Sequence, residues 1–343
     1  MNRRLLSILF ALSLVLTLGA CGGGAGGGGS GPASSELPYP PTAAEPASSP
    51  PLKQQPAGRV VRIGGPGEGI AADPQTGLIA VARQDQPLLA LVDAASGEVR
   101  KRVPLPASAR HLEIARPGGP VLVPAEDADA LVQVSLPDGT IEETTKVGDF
   151  PHDATFLNGR AYSADEFGNT VTAVQDGEAV RQAPVAVQPG NIVPIGEELA
   201  VVSVRAYTLT LLDPVTLRDE EGSQFIGSGP THAAVDADGR IYATDTRGGA
   251  LSVFATRPEL KFIARVPLPG GAPLGLEVDK RRGRVWVSLT ATNQLLEFEA
   301  SDNPRRLRTL PTVRQPNGLT VDERTGRVAV ASASDDALQL VGP

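Results

Sequence analysis

From residue 66 to the C-terminus the chain repeats one passage of about forty residues seven times. Each copy opens on Pro or Gly, enters a short apolar run, turns at a Gly, runs apolar again and ends in an acidic or polar loop. The clearest copies are Pro230 to Asp245 and Pro316 to Ala331. Glycines close turns such as 73–77, 157–159, 236–239, 279–283 and 322–326, where a tight hairpin needs positive φ. The second runs, such as 78–82, 284–289 and 327–331, are aliphatic and β-branched, as strands prefer. A fixed period built from short strands predicts an all-β fold, a seven-bladed β-propeller spanning residues 59–343 as one ring. The last copy stops after its third strand, while Arg59 to Ile63 has no blade of its own. Pairing the two closes the ring, because an open ring would leave bare strand edges and two apolar blade faces in water.

The N-terminus reads differently. Arg3 and Arg4 precede an apolar run from Leu5 to Leu18, which is too short for an ordinary spanning helix of about 20 residues. Residues 1–20 therefore read as a signal peptide. Leu18-Gly19-Ala20-Cys21 resembles the bacterial lipobox, which implies cleavage before Cys21, a diacylglycerol on its thiol and an extracytoplasmic, membrane-anchored protein. A plain secretory signal cut after Ala20 is the alternative. Cys21 is the single cysteine, so no disulfide supports the fold. Residues 21–58 read as a disordered linker, first nearly all Gly (22–31) and then rich in Pro, Ser and Ala (32–56). With 39 acidic against 31 basic side chains and no basic block, nucleic acid is a poor partner, and so is an anionic lipid surface gripped directly by protein.

Aligned on itself, the repeat has a pair of residues before each first apolar run. In order these are Glu68-Gly69, Arg110-His111, His152-Asp153, Gly190-Asn191, Thr231-His232, Leu274-Gly275 and Asn317-Gly318. All 3 histidines of the chain fall in this column. In a propeller the column lies where the chain enters the innermost strand, so its side chains converge at one mouth of the central channel. Glu68, His111, His152, Asp153, Asn191, His232 and Asn317 are the candidate ligand-binding residues. Imidazoles with carboxylates are also a divalent-metal donor set, with His111, His152, His232, Asp153 and Glu68 as the candidate ligands. The other reading of the same column is a wet polar mouth whose histidines cap backbone groups, since no His-x-His or His-Glu-x-x-His spacing occurs. Loops after the second strands are expected to frame a polar funnel on the same face. They carry Arg83, Asp85, Glu126, Asp127, Asp165, Glu166, Arg205, Tyr207, Asp245, Arg247, Asn293 and Asp335.

Three resemblances bear on these residues. Val321-Asp322 followed by Gly326 to Ala331, and Val92-Asp93 followed by Gly97-Glu98-Val99, resemble YVTN and NHL-like propeller repeats, which implies an architecture and no substrate. Gly67-Glu68-Gly69 with Asp73 to Gly77, and Pro316-Asn317-Gly318-Leu319, look like motifs of the regucalcin and gluconolactonase family. That likeness implies metal-ligand roles for Glu68 and Asn317. The family has six blades, however, and its middle-blade Asn ligands would fall at His152-Asp153 and Gly190-Asn191, its catalytic Asp near Thr231-His232. Pro151-His152, and Pro230-Thr231-His232 with Asp238-Gly239, are similar to repeats of the seven-bladed streptogramin lyases. The aromatic second strands of those enzymes are missing, Ile241 to Thr244 being the nearest approach. No Ser-His-Asp order, P-loop or dinucleotide fingerprint is present, and no catalytic residue is assigned. The expected function is a lipid-anchored, non-catalytic propeller that binds a small molecule or partner protein at its channel face. The alternative is a metal-dependent hydrolase or lyase, lactonase-like or streptogramin-lyase-like, with its site at the channel mouth.

Overall fold

A computed structural model describes residues 42–219 and 221–343; the expected signal peptide (1–20), Cys21 and the expected linker residues 22–41 lie outside the described residues. The folded part is seven antiparallel sheets of four strands each. The innermost strands pack side by side around a central channel, each blade touching the one before and the one after. The expected closure is present: Arg59–Val61 is the outer strand of the seventh blade, with Arg59 opposite Leu340 and Val61 opposite Leu338. Turn glycines adopt the positive φ their hairpins require, for example 71° at Gly77 and 76° at Gly326.

What holds the ring is distributed. Among the described residues there is one apolar cluster per blade interface. Val81, Ile79 and Leu338 join the seventh blade to the first, and Tyr162, Val171 and Val201 join the third to the fourth. Side chains there are mostly Ala, Val and Leu, because two pleated sheets packed face to face leave little depth between them. The few large residues, such as Tyr242, Phe254 and Phe298, are fully buried.

The column read from the sequence has a structural cause. Five of the seven inner strands begin at a Pro, which is tolerated at a strand's first residue because its missing N–H has no ladder partner to lose. In six blades the register shifts immediately afterwards, for instance between Pro151 and Asp153, Pro230 and Ala233, and Pro316 and Gly318. Such a bulge leaves a residue unpaired and re-aims its side chain. The aligned pairs sit in or beside these bulges, which turn them toward the channel. Gly318 is required for packing: a Cβ there would lie 1.9 Å from the Glu68 carbonyl oxygen of the neighbouring blade.

Residues 42–58, expected to be linker, have defined places. Thr42 to Pro51 crosses the channel mouth as a strap without strand or helix, and Ala57 donates its N–H to Pro311 O at 2.9 Å on the way to the closing strand. Composition misreads this stretch because its attachment uses main-chain groups rather than an apolar pattern. Among the described residues, no helix is long and apolar enough to cross a membrane.

Candidate functional site: the channel mouth

All seven column residues named from the sequence line one cavity of about 450 Å³ at the mouth of the channel. Two jobs divide them. Asp153 is a clamp between blades: its carboxylate accepts Asn191 Nδ2 at 2.7 Å and the Ile192 N–H at 2.9 Å, both from the next blade. Asn191 passes the connection on, its Oδ1 accepting the Ala233 N–H of the fifth blade at 2.7 Å. Asn317 does the same between the seventh blade and the first, donating to Glu68 Oε1 at 2.7 Å. Two of these bonds satisfy backbone N–H groups beside the bulges, those of Ile192 and Ala233.

The histidines form the other group. The His111 ring stands 4.8 Å from the His152 ring and 4.8 Å from the His232 ring, both tilted. His152 Nδ1 donates to Glu126 Oε1 at 2.9 Å, and Glu166 Oε2 lies 3.4 Å from the same nitrogen. Burial pushes His152 down, but the two carboxylates more than offset it and hold this imidazole above its ordinary value. His111 is driven well below its ordinary value by burial and by the charge on His152. His232 is lowered to about 4 by burial and by the same charge. His152 is therefore the ring of the three that most favours the charged form, and His111 and His232 favour the neutral one. Among the described residues, His232 Nδ1 is buried with no hydrogen-bond partner.

Carboxyls complete the cavity. Burial raises Asp153 to about 6 against the hydrogen bonds from Ile192 and Asn191, and raises Glu68 against that from Asn317. Deeper in the channel, burial lifts Glu277 to about 7. Glu113 is reached by channel water yet ringed by protein; that confinement, with Glu277 and Asp153 nearby, pushes it up as well. Lys280 lines the same wall. Glu113, Glu277 and Lys280 were not singled out in the sequence, where they carry no mark beyond following a bulge.

The metal set expected from the sequence is not assembled as a cage. Among the described residues no group of three or more His, Cys, Asp or Glu side chains is arranged to hold a metal ion. The physical reason is prior commitment: Asp153 is spent on the next blade, Glu68 on Asn317 and His152 Nδ1 on Glu126.

At the level of sequence, no family model and no curated protein matches this chain. Solved structures share its fold. A chain of hydrazine synthase from Kuenenia stuttgartiensis aligns with a TM-score of 0.72 at 16% identity, over 82% of this chain and 97% of that one. A streptogramin B lyase aligns at 0.69 and 15% identity, over 83% and 98%. A chain of the mitotic checkpoint complex aligns at 0.74 and 10% identity, over 90% and 98%. Identities this low establish the propeller and leave the function to the site.

The expected funnel divides too. Glu126 and Glu166 face the histidines. Asp165 and Asp245 are wholly buried, Asp165 accepting from Ser163, Thr170 and Thr172, and Asp245 pairing with Arg265 at 2.5 Å. Arg83 pairs with Asp85 at 2.5 Å. Tyr207, Arg247 and Asn293 hold the strap: Tyr207 Oη donates to Thr42 O at 2.8 Å, Arg247 Nη2 to Ala43 O at 2.7 Å and Asn293 Nδ2 to Pro50 O at 2.9 Å. Strap residues 43–46 thereby form one wall of the cavity.

Proposed function

We propose that this protein is a lipid-anchored, extracytoplasmic binding propeller that takes a ligand or partner at its channel mouth without transforming it. One observation carries the reading: the three imidazoles of the chain converge in a lined cavity where His232 Nδ1 is buried and unpartnered. A buried polar atom of this kind costs free energy unless something pairs with it. A ligand hydroxyl, amine or carboxyl of small-molecule size would do so. Base catalysis is disfavoured by the same electrostatics, since an imidazole lowered to about 4 is a weak base at neutral pH. Anchoring rests on Arg3-Arg4, the apolar run to Leu18 and Cys21. Two or three acyl chains at about 0.8 kcal/mol per CH₂ hold a protein stably at a membrane.

A lyase is the second reading, favoured by the Glu126–His152 contact, which orients an imidazole through Nδ1 and leaves Nε2 for proton transfer. Thermal unfolding of the full chain against a panel of small polar acids, amines and sugars, repeated with His111→Ala, His152→Ala and His232→Ala, tests the binding reading. Stabilisation by a compound that the substitutions abolish supports it. Turnover of a streptogramin B that depends on His152, or a panel without effect, overturns it.

A further inference from the structure

The strap shows what kind of partner the mouth is built to take. Along residues 42–51 every third residue, Thr42, Glu45, Ser48 and Pro51, is exposed, and the two between are half-buried. A period of three is that of a polyproline-II helix, in keeping with Pro46, Pro50 and Pro51. The seat reads main chain. Tyr207 Oη bonds both Thr42 N and Thr42 O, Arg247 reaches Thr42 O and Ala43 O, Gln315 Nε2 donates to Ala47 O, and Asn293 Nδ2 donates to Pro50 O. Ser49 N–H donates to Gln315 Oε1 at 2.9 Å, and the Ser49 hydroxyl donates to Thr290 O and accepts the Gln315 N–H. Only Thr42 and Ser49 contribute side-chain atoms to these bonds. Tyr207, Asn293 and Gln315 of the seat hold positive φ (63°, 52° and 49°), the left-handed region that Asn visits readily and Tyr and Gln seldom do.

The fit is incomplete at one point. Asn293 is 6% exposed, and its Oδ1 is buried with no partner among the described residues while its Nδ2 engages Pro50 O. An amide side chain beside a peptide normally uses both arms, accepting an N–H as well as donating to a C=O. The strap offers Pro50 and Pro51 there, and neither has an N–H.

We propose that the channel mouth is a docking surface for an extended, proline-containing segment of a partner protein, read through its backbone. Residues 42–50 are an incomplete occupant of that surface, displaceable by a segment with an N–H opposite Asn293. The strap wins at rest because tethering gives it an effective concentration in the millimolar range. Displacing it uncovers the histidine cavity, one of whose walls it forms. The inference rests on the reading of the mouth as a binding face and names the partner's chemistry.

The test uses the full chain with Ser49→Pro, which deletes an N–H and a hydroxyl from the strap and frees the seat. Fluorescein-labelled twelve-residue peptides of sequence 41–52 are titrated by anisotropy, one native, one with Pro50→Ala and one with Pro51→Ala. In the Pro50→Ala peptide the following Pro still holds residue 50 extended. One of the two alanine peptides is expected to bind about 3- to 10-fold tighter than the native one, the worth of one neutral hydrogen bond. That preference disappears in Ser49→Pro/Asn293→Gly, which keeps the left-handed backbone and removes the amide. Equal affinity of all three peptides, a preference that survives Asn293→Gly, or no binding to Ser49→Pro up to about 1 mM overturns the proposal. Thermal shifts with the small-ligand panel, read on the same samples, report separately whether the cavity itself binds.

Discussion

Replacing Asp153 by Asn separates the clamp from its charge. An Asn oxygen at the Oδ2 position still accepts Asn191 Nδ2 and the Ile192 N–H, while its NH₂ group takes the place of Oδ1, which accepts the Ala154 N–H. One acceptor is lost, at about 1–3 kcal/mol. The pH dependence is the sharper signature. Asp153 lies at about 6 in the fold against 3.8 in the open chain, so between those values the folded state holds a proton that the unfolded state has released. Stability from this group is therefore fully present below 3.8 and is lost as pH rises through about 6. Between about pH 4.5 and pH 7.5 the wild type loses about 2 kcal/mol that the Asn variant does not. Urea unfolding of both proteins at several pH values measures this directly. The variant is expected to be clearly less stable at the acid end and to close the gap by about 2 kcal/mol toward the alkaline end. A stability difference that stays constant across that range would falsify burial as the force on this carboxyl.

Other expectations follow from single contacts. Arg265→Ala strips the partner from the fully buried Asp245 and is expected to cost about 3 kcal/mol in urea unfolding, with no rescue by Lys because Arg265 also bonds Ile226 O and Ser252. Gln339→Ala orphans Ala57 O and the Val313 N–H and leaves Pro311 O with the Ala57 N–H, so proteolysis within residues 42–58 should accelerate before the ring unfolds. His232 is lowered from 6.5 to about 4, so its contribution is present above 6.5 and lost as pH falls through about 4; His232→Leu should flatten that acid limb of the stability curve. Cys21→Ser is expected to move the protein from the membrane fraction to the soluble one and to abolish labelling by an acyl-chain analogue.

The ring was legible because each blade spells out its own strands and turns, as Pro316 to Ala331 does, and because an edge left open at Val341 and Arg59 would be costly. The mouth was legible as a column because the same bulge recurs after each opening Pro and turns the same position inward. What the column's members do was not legible. Whether Asp153 serves a ligand or the Ile192 N–H depends on the backbone of a neighbouring blade, about 40 residues away in sequence. The strap was read as linker since Thr42 to Pro51 has no apolar pattern, and its hold comes from Tyr207, Arg247, Asn293, Thr290 and Gln315, all distant in the chain. Glu113 and Glu277 were missed for a similar reason: only closure of the ring confines them together.

The central claim is that the chain's 3 histidines form one interacting, half-buried cluster facing the cavity at the channel mouth. With three imidazoles and no others, the ring protons give three resolvable NMR signals whose titrations can be followed one by one. One signal, lost in His152→Ala, should titrate above the ordinary value, and the other two below it, His232 near 4. Removing His152 should let the other two rise, since its charge holds both down. Three independent titrations near the ordinary value of 6.5, indifferent to His152→Ala, would contradict the cluster and the site built on it.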